Sequence, residues 1–172
     1  MLYLTSAAAR AAGTLLIATA TICLPTAASA QSAGSTLNVS ATVTANCTVS
    51  TSDLAFGNVN TLSGANVDST GGLSIACTNG TAWTATAGVG SGAGASYASR
   101  RMTDGANQLT YNLYTDSGRT IVWGDDSGTT DPIGGTGTGL SQSVTVYGRV
   151  GLGQTSVPAG GYTDTVAVTV TY

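Results

Sequence analysis

The chain has 172 residues, five Arg against eight Asp, and neither Lys, Glu nor His, for a formal net charge of −3. So thin an inventory removes most ordinary acid–base and nucleophile–base chemistry. The scattered arginines form no basic stripe of the kind that neutralises a phosphate backbone, so nucleic acid is excluded as a partner.

Residues 1–30 read as an export signal. Arg10 precedes an apolar stretch from Ala11 to Leu24, Pro25 ends it, and Ala28-Ser29-Ala30 offers the small residues a signal peptidase accepts, which places cleavage before Gln31. A retained membrane anchor is the competing reading, but the stretch is short and interrupted by threonines. Roughly 140 residues then remain, enough for one domain with a modest core. They divide into an N-terminal extension, 31–45, and a domain, 46–172.

In the extension, Leu37, Val39, Ala41 and Val43 alternate with Asn38, Ser40, Thr42 and Thr44. Alternation of this kind gives one apolar and one polar face along an extended strand. Cys47 follows, and Cys77 is its only possible partner once Cys23 has left with the signal. Two cysteines in an exported chain most simply form one disulfide. A metal site is the other reading, although no His and no CxxC spacing supports it.

Beyond Cys47 the chain is rich in Gly, Thr, Ser and Val, without apolar residues at helical spacing, and reads as all-β. Val49 and the Leu54-Ala-Phe-Gly57 segment come first, then Leu73, Ile75 and Cys77 in alternation, then Trp83, Ala85 and Ala87. Gly88 to Gly94 reads as a loop. Leu109, Tyr111 and Leu113 share a face, Ile121 and Trp123 follow, and an Asp/Gly/Thr-rich loop is expected from Asp125 to Gly139. Val144, Val146, Gly148 and Val150 form the next strand. A Pro158-Ala-Gly-Gly161 turn leads to the last one, where Tyr162, Asp164, Val166, Val168, Val170 and Tyr172 share one parity. Strands in such number and spacing fit an immunoglobulin-like sandwich.

Several segments together resemble one family: Asn46-Cys-Thr-Val49, Leu54-Ala-Phe-Gly57, Ile75-Ala-Cys77, Tyr111-Asn-Leu-Tyr-Thr-Asp116 with Arg119 after it, and the ending from Pro158 to Tyr172. This is the spore coat protein U domain, which includes subunits of archaic chaperone-usher pili of the Csu type. The resemblance implies an incomplete immunoglobulin-like sandwich, one strand short, completed by a donor strand from a neighbour. On that pattern Leu37, Val39, Ala41 and Val43 are the donor residues, lying ahead of the first cysteine and so free of the disulfide. Val166, Val168, Val170 and Tyr172 are the contacts for a periplasmic chaperone. The implied partners are identical or related pilin subunits, that chaperone and an outer-membrane usher, and the implied location is an extracellular pilus serving adhesion and biofilm formation. A spore or cyst coat protein and a monomeric sugar-binding adhesin are the alternatives.

Other chemistry is weakly supported. Asp125, Asp126 and Asp131 do not reproduce a calcium loop, and nothing brackets them as a glycosidase pair. Trp83, Trp123 and the tyrosines at strand parity read as core or interface. Arg119 reads as an ion-pair partner of an Asp, and Arg100-Arg101 as a solvated turn edge. Enzymatic activity, a cofactor, a metal and a small-molecule substrate are not expected.

Overall fold

The computed structural model describes residues 28–172, so residues 1–27, with nearly all of the expected export signal, lie outside it. The chain separates into two units, Met1–Ser40 and Ala41–Tyr172. In the first, residues 28–40 carry no helix or strand and are exposed throughout.

The second unit holds every strand among the described residues: β1 Cys47–Ser52, β2 Val67–Cys77, β3 Ala82–Ala87, β4 Arg100–Asp104, β5 Asn107–Tyr114, β6 Val122–Trp123, β7 Thr130–Asp131, β8 Ile133–Thr136, β9 Ser141–Val150 and β10 Val168–Thr171. They form a seven-stranded sheet in the order β1-β2-β9-β5-β6-β7, with β4 also on β5, and a three-stranded sheet in the order β10-β3-β8. This is the all-β sandwich expected of the alternating pattern. Leu73, Ile75 and Cys77 of β2, Leu109, Tyr111 and Leu113 of β5, and Val146 and Val150 of β9 meet Trp83, Ala85 and Ala87 of β3 in a single core. Burying each of the larger aliphatic side chains contributes about 1.5–3 kcal/mol, which is what fixes these faces inward.

The disulfide staples the edge strand β1 to β2. Cys47 and Cys77 lie directly opposite in the antiparallel ladder, with Cα atoms 4.1 Å apart. Because Thr78 N donates to Asn46 O one step earlier, the cysteines occupy a non-hydrogen-bonded pair, where the strands approach most closely.

Three expectations are corrected. Arg100-Arg101 is no solvated turn edge: it opens β4, and Arg100 is fully buried. The Asp125 to Gly139 segment is not one loop but contains β7 and β8. Thr130 is drawn into the interior because Gly124, lacking a side chain, leaves room for it: a Cβ at Gly124 would fall 2.5 Å from Thr130. Finally, the last strand does not begin at Tyr162. Its ladder spans only Val168–Thr171, preceded by an isolated bridge between Thr163 and Thr103. That bridge ties Tyr162–Asp164 to the outer edge of β4, so the C-terminal segment crosses from one sheet to the other.

Candidate functional site

Both sheets end on an unfilled edge at the same side of the sandwich. Among the described residues β1 pairs only with β2, and β10 only with β3. Between them opens a cleft of about 890 Å3, walled by Thr51–Val59 on one side and Val157–Val168 on the other. Leu73, Leu109, Tyr111, Leu113, Trp123 and Val146 form its floor.

Local sequence explains each wall. After β1 the alternation of Leu54 and Phe56 turns both side chains inward, and Gly57, at φ 64°, ends the run in a left-handed turn. Two strand glycines make room for them. A Cβ on Gly71 would meet Leu54 at 2.9 Å, and one on Gly148 would meet Leu54 at 2.7 Å and Phe56 at 3.0 Å. On the other wall Tyr162, Asp164, Val166 and Val168 share one parity, are half-buried, and line the cleft.

Along β1 and β10 the outer backbone edge has no ladder partner among the described residues. Ala167 O accepts from Gly88 N at 2.9 Å, so in an antiparallel ladder Val166, Val168 and Val170 turn their N–H and C=O groups to the open edge. By the same alternation Cys47, Val49 and Thr51 do so on β1. Unpaired strand edges flanking an apolar floor form a template for another strand. The remaining edges are blunted: β7 is only two residues long, β8 is short, preceded by Pro132 and carrying Gly134 and Gly135, and Thr163 covers β4.

One polar group interrupts this lining. The Asp164 carboxylate accepts hydrogen bonds from Ser91 N and Oγ at 2.7 Å each, from Thr165 N at 2.8 Å and from the Tyr111 hydroxyl at 2.7 Å. Burial, and then the Asp164 carboxylate beside it, push the Tyr111 hydroxyl far above the ordinary tyrosine range. Beneath the floor the Arg100 guanidinium donates to Gly88 O, Trp123 O and Asn112 Oδ1, and stacks on Tyr97 at 5.4 Å.

Of the residues singled out in the sequence, Cys47 and Cys77 are bonded. Val166, Val168 and Val170 are half-buried along the cleft wall and in β10, and Tyr172 is an exposed end. Leu37, Val39 and Val43 are at least 84% exposed, and with Ala41 they belong to no strand. The extended strand expected there is not formed. Arg119 pairs with Asp68 at 3.3 Å, as expected, and Arg149 joins the same carboxylate at 2.7 Å. The Arg149 hydrogen bond, aided by Arg119, holds the Asp68 carboxyl below its usual range; this pair is too exposed to add much stability. Among the described residues no group of three side chains could hold a metal ion. The sequence reading did not identify Val59 and Val157 in the walls, the Asp164–Tyr111 pair or buried Arg100. The inward parity of Leu54 and Phe56 was the available signal for the first wall.

The family model described as the Spore Coat Protein U domain matches residues 33–169. The chain belongs to this family. The Spore Coat Protein U match takes in residues 33–45 of the N-terminal extension, both cleft walls and the disulfide. Among curated proteins, Protein U of Myxococcus xanthus is 45% identical over 84 residues, covering 48% of this chain and 45% of that protein. Among solved structures, a chain of the CsuC-CsuE chaperone-tip adhesion subunit pre-assembly complex, from archaic chaperone-usher Csu pili of Acinetobacter baumannii, is similar in fold. It superposes with a TM-score of 0.55 at 23% identity, over 76% of this chain and 40% of that one. The Spore Coat Protein U chain thus spans less than half the length of either.

Proposed function

We propose that this chain is a structural pilus subunit that polymerises by strand donation, its arm 35–44 filling the cleft of a neighbouring copy. The observation that carries this reading is the pair of open edges, β1 and β10, over an apolar floor. An exposed segment of matching alternation precedes the disulfide. Burying Leu37, Val39 and Val43 supplies about 1.5–3 kcal/mol each, and each new backbone hydrogen bond adds about 1 kcal/mol. Together these give a junction that opens slowly.

Before assembly the open cleft exposes apolar surface and free edges, an aggregation hazard that calls for a temporary cover. A periplasmic chaperone pairing with Val166, Val168 and Val170 at the β10 edge meets that need. The solved structure of similar fold is a complex of a chaperone with a tip adhesion subunit. An outer-membrane usher then exchanges chaperone for arm, and the polymer stands on the cell surface, where it serves adhesion and biofilm formation. The role is structural, not enzymatic. The family's description favours a second destination, a spore or cyst coat, built by the same strand donation.

The test is deletion of residues 35–44. The expected product is folded, captured by its chaperone and unable to form fibres seen by electron microscopy of the cell surface, with assembly blocked at the first junction. Normal fibres from the truncated chain overturn the proposal. Protein deposited as a shell on a dormant cell, rather than as thin appendages, supports the coat.

A further inference from the structure

The root of the arm is held in one direction by a single side chain. Thr78, the first residue after β2, lies opposite Asn46. Its Oγ1 accepts from Asn46 N at 3.1 Å and lies within donating distance of Asn46 O at 3.3 Å and Thr44 O at 3.4 Å, while its own N–H donates to Asn46 O at 2.9 Å. The hydroxyl has only one proton, so the two carbonyls share it. A further contact, from the Tyr172 hydroxyl to Asn46 Oδ1 at 3.4 Å, places this root beside the end of β10. The β1–β2 pairing thus continues one pair past the disulfide, and the Thr78 hydroxyl reaches on to Thr44. To enter the cleft beside its own β1, the arm would have to reverse within these same residues. Reversals are made chiefly at Gly, Pro, Asn, Asp or Ser. From Ala41 to Ala45 the chain contains none of these, and Thr42, Val43 and Thr44 are β-branched and stiff; Asn46, the turn-former at the root, has its N–H and C=O held by Thr78.

We infer that Thr78 is a positioning residue that keeps the arm from folding back into its own cleft, so that donation occurs between molecules. The inference rests on the strand-donation reading above. A chain able to close on itself would satisfy its cleft at any dilution and never polymerise, because an intramolecular strand acts at an effective concentration in the millimolar range. The clamp removes that competitor, so the cleft stays available to a second copy.

The experiment compares four full-length, purified chains refolded at several concentrations: the natural sequence, Thr78→Ser, Thr78→Val, and Thr78→Val with Ala45→Gly. Native gel electrophoresis and size exclusion give the ratio of monomer to polymer, and protease protection of the arm marks the self-closed monomer. Thr78→Ser keeps the hydroxyl and should match the natural chain. Thr78→Val should raise the share of protected monomer roughly fivefold, as the loss of one modest hydrogen-bonding hub allows, and the double variant should raise it further, independently of concentration. An unchanged ratio in the double variant, while the natural chain polymerises, overturns the role of Thr78 and leaves strand donation standing. A natural chain that polymerises just as well without residues 35–44 overturns strand donation itself, and the Thr78 inference with it. Should Thr78→Val fold poorly, the natural background carrying only Ala45→Gly supplies the comparison: more protected monomer supports the role of the root, and none argues against it.

Discussion

Arg100 donates to the Trp123 carbonyl at 2.6 Å from a fully buried position, and none of its four hydrogen bonds reaches a carboxylate. Burial lowers the guanidinium's pKa, yet an arginine stays charged in proteins. Three main-chain and amide oxygens and the ring of Tyr97 therefore do the work of an anion. The bonds join β4 to the end of β3, to β5 and to β6, so one side chain links both sheets directly under the cleft floor. Replacing Arg100 with Met strands Gly88 O, Trp123 O and Asn112 Oδ1 in the interior, at about 1–3 kcal/mol for each left unpaired. The expected result is a loss of more than about 3 kcal/mol by urea denaturation. Arg100→Lys should recover little, since an ammonium lacks the planar fork that reaches three acceptors. A midpoint within error of the natural chain for Arg100→Met would show that the network contributes nothing.

This arginine also marks where local pattern stops being informative. Leu73/Ile75/Cys77, Trp83/Ala85/Ala87 and Leu109/Tyr111/Leu113 announce their strands because period-two burial is written into neighbouring residues. Arg100-Arg-Met-Thr-Asp104 shows no such alternation, and what buries Arg100 is a set of carbonyls 12 and 23 positions away along the chain, invisible to any window. β7 and β8 hide for a related reason: two- and four-residue strands among glycines take their form from a parallel neighbour and from β3. The C-terminal wall was legible in parity but not in pairing. Tyr162, Asp164 and Val166 are half-buried as their alternation requires, while the ladder itself is confined to Val168–Thr171 and the single bridge at Thr163. Leu37–Val43 alternate as a strand would, yet in this chain they are exposed and pair with nothing among the described residues.

The disulfide closes a loop of 30 residues. In the chain-entropy view this constrains the unfolded state by about 3–4 kcal/mol. Cys47→Ala with Cys77→Ala should lower stability by that order, and fray β1 first because it is an edge strand with a single neighbour. Hydrogen exchange should show Thr48, Ser50 and Ser52 losing protection before β5 or β9. Equal protection in the reduced and oxidised chains contradicts this.

Gly148 holds the first wall in place. An alanine there would press on Leu54 at 2.7 Å and Phe56 at 3.0 Å, and both are fixed in the cleft wall. Overpacking of this kind costs about 1–3 kcal/mol. Gly148→Ala should also weaken binding of a synthetic 35–44 peptide to the arm-deleted chain by about tenfold, as a wall shift worth 1.4 kcal/mol would. Gly105→Ala is the control. Its φ is 59° and nothing lies within 4 Å of the added Cβ, so it should cost about 1–2 kcal/mol of backbone strain and leave peptide binding unchanged. Isothermal titration of both variants decides the matter. Equal peptide affinity in the two removes Gly148 from the account of the cleft.

The Tyr111–Asp164 hydrogen bond predicts how stability responds to alkali. The Tyr111 hydroxyl is held protonated in the folded chain, first by burial and then by the neighbouring carboxylate, whereas in the unfolded chain it ionises near pH 10. A group whose folded-state pKa is raised contributes stability that is complete below its unfolded value and is lost as pH climbs from there toward the folded value. The urea midpoint should accordingly stay level from about pH 7 to 9 and fall above about pH 10. Tyr97 and Tyr162 are also raised, burial being the first cause in each, so part of the slope will persist in any Tyr111 variant. Tyr111→Phe keeps the ring on the cleft floor and removes the ionisable hydroxyl. It should be less stable at neutral pH by about 1–3 kcal/mol, since Asp164 loses a donor, and its midpoint should fall less steeply in alkali than that of the natural chain. Parallel curves for the two chains from pH 9 upward would mean that Tyr111 does not set the alkaline limit.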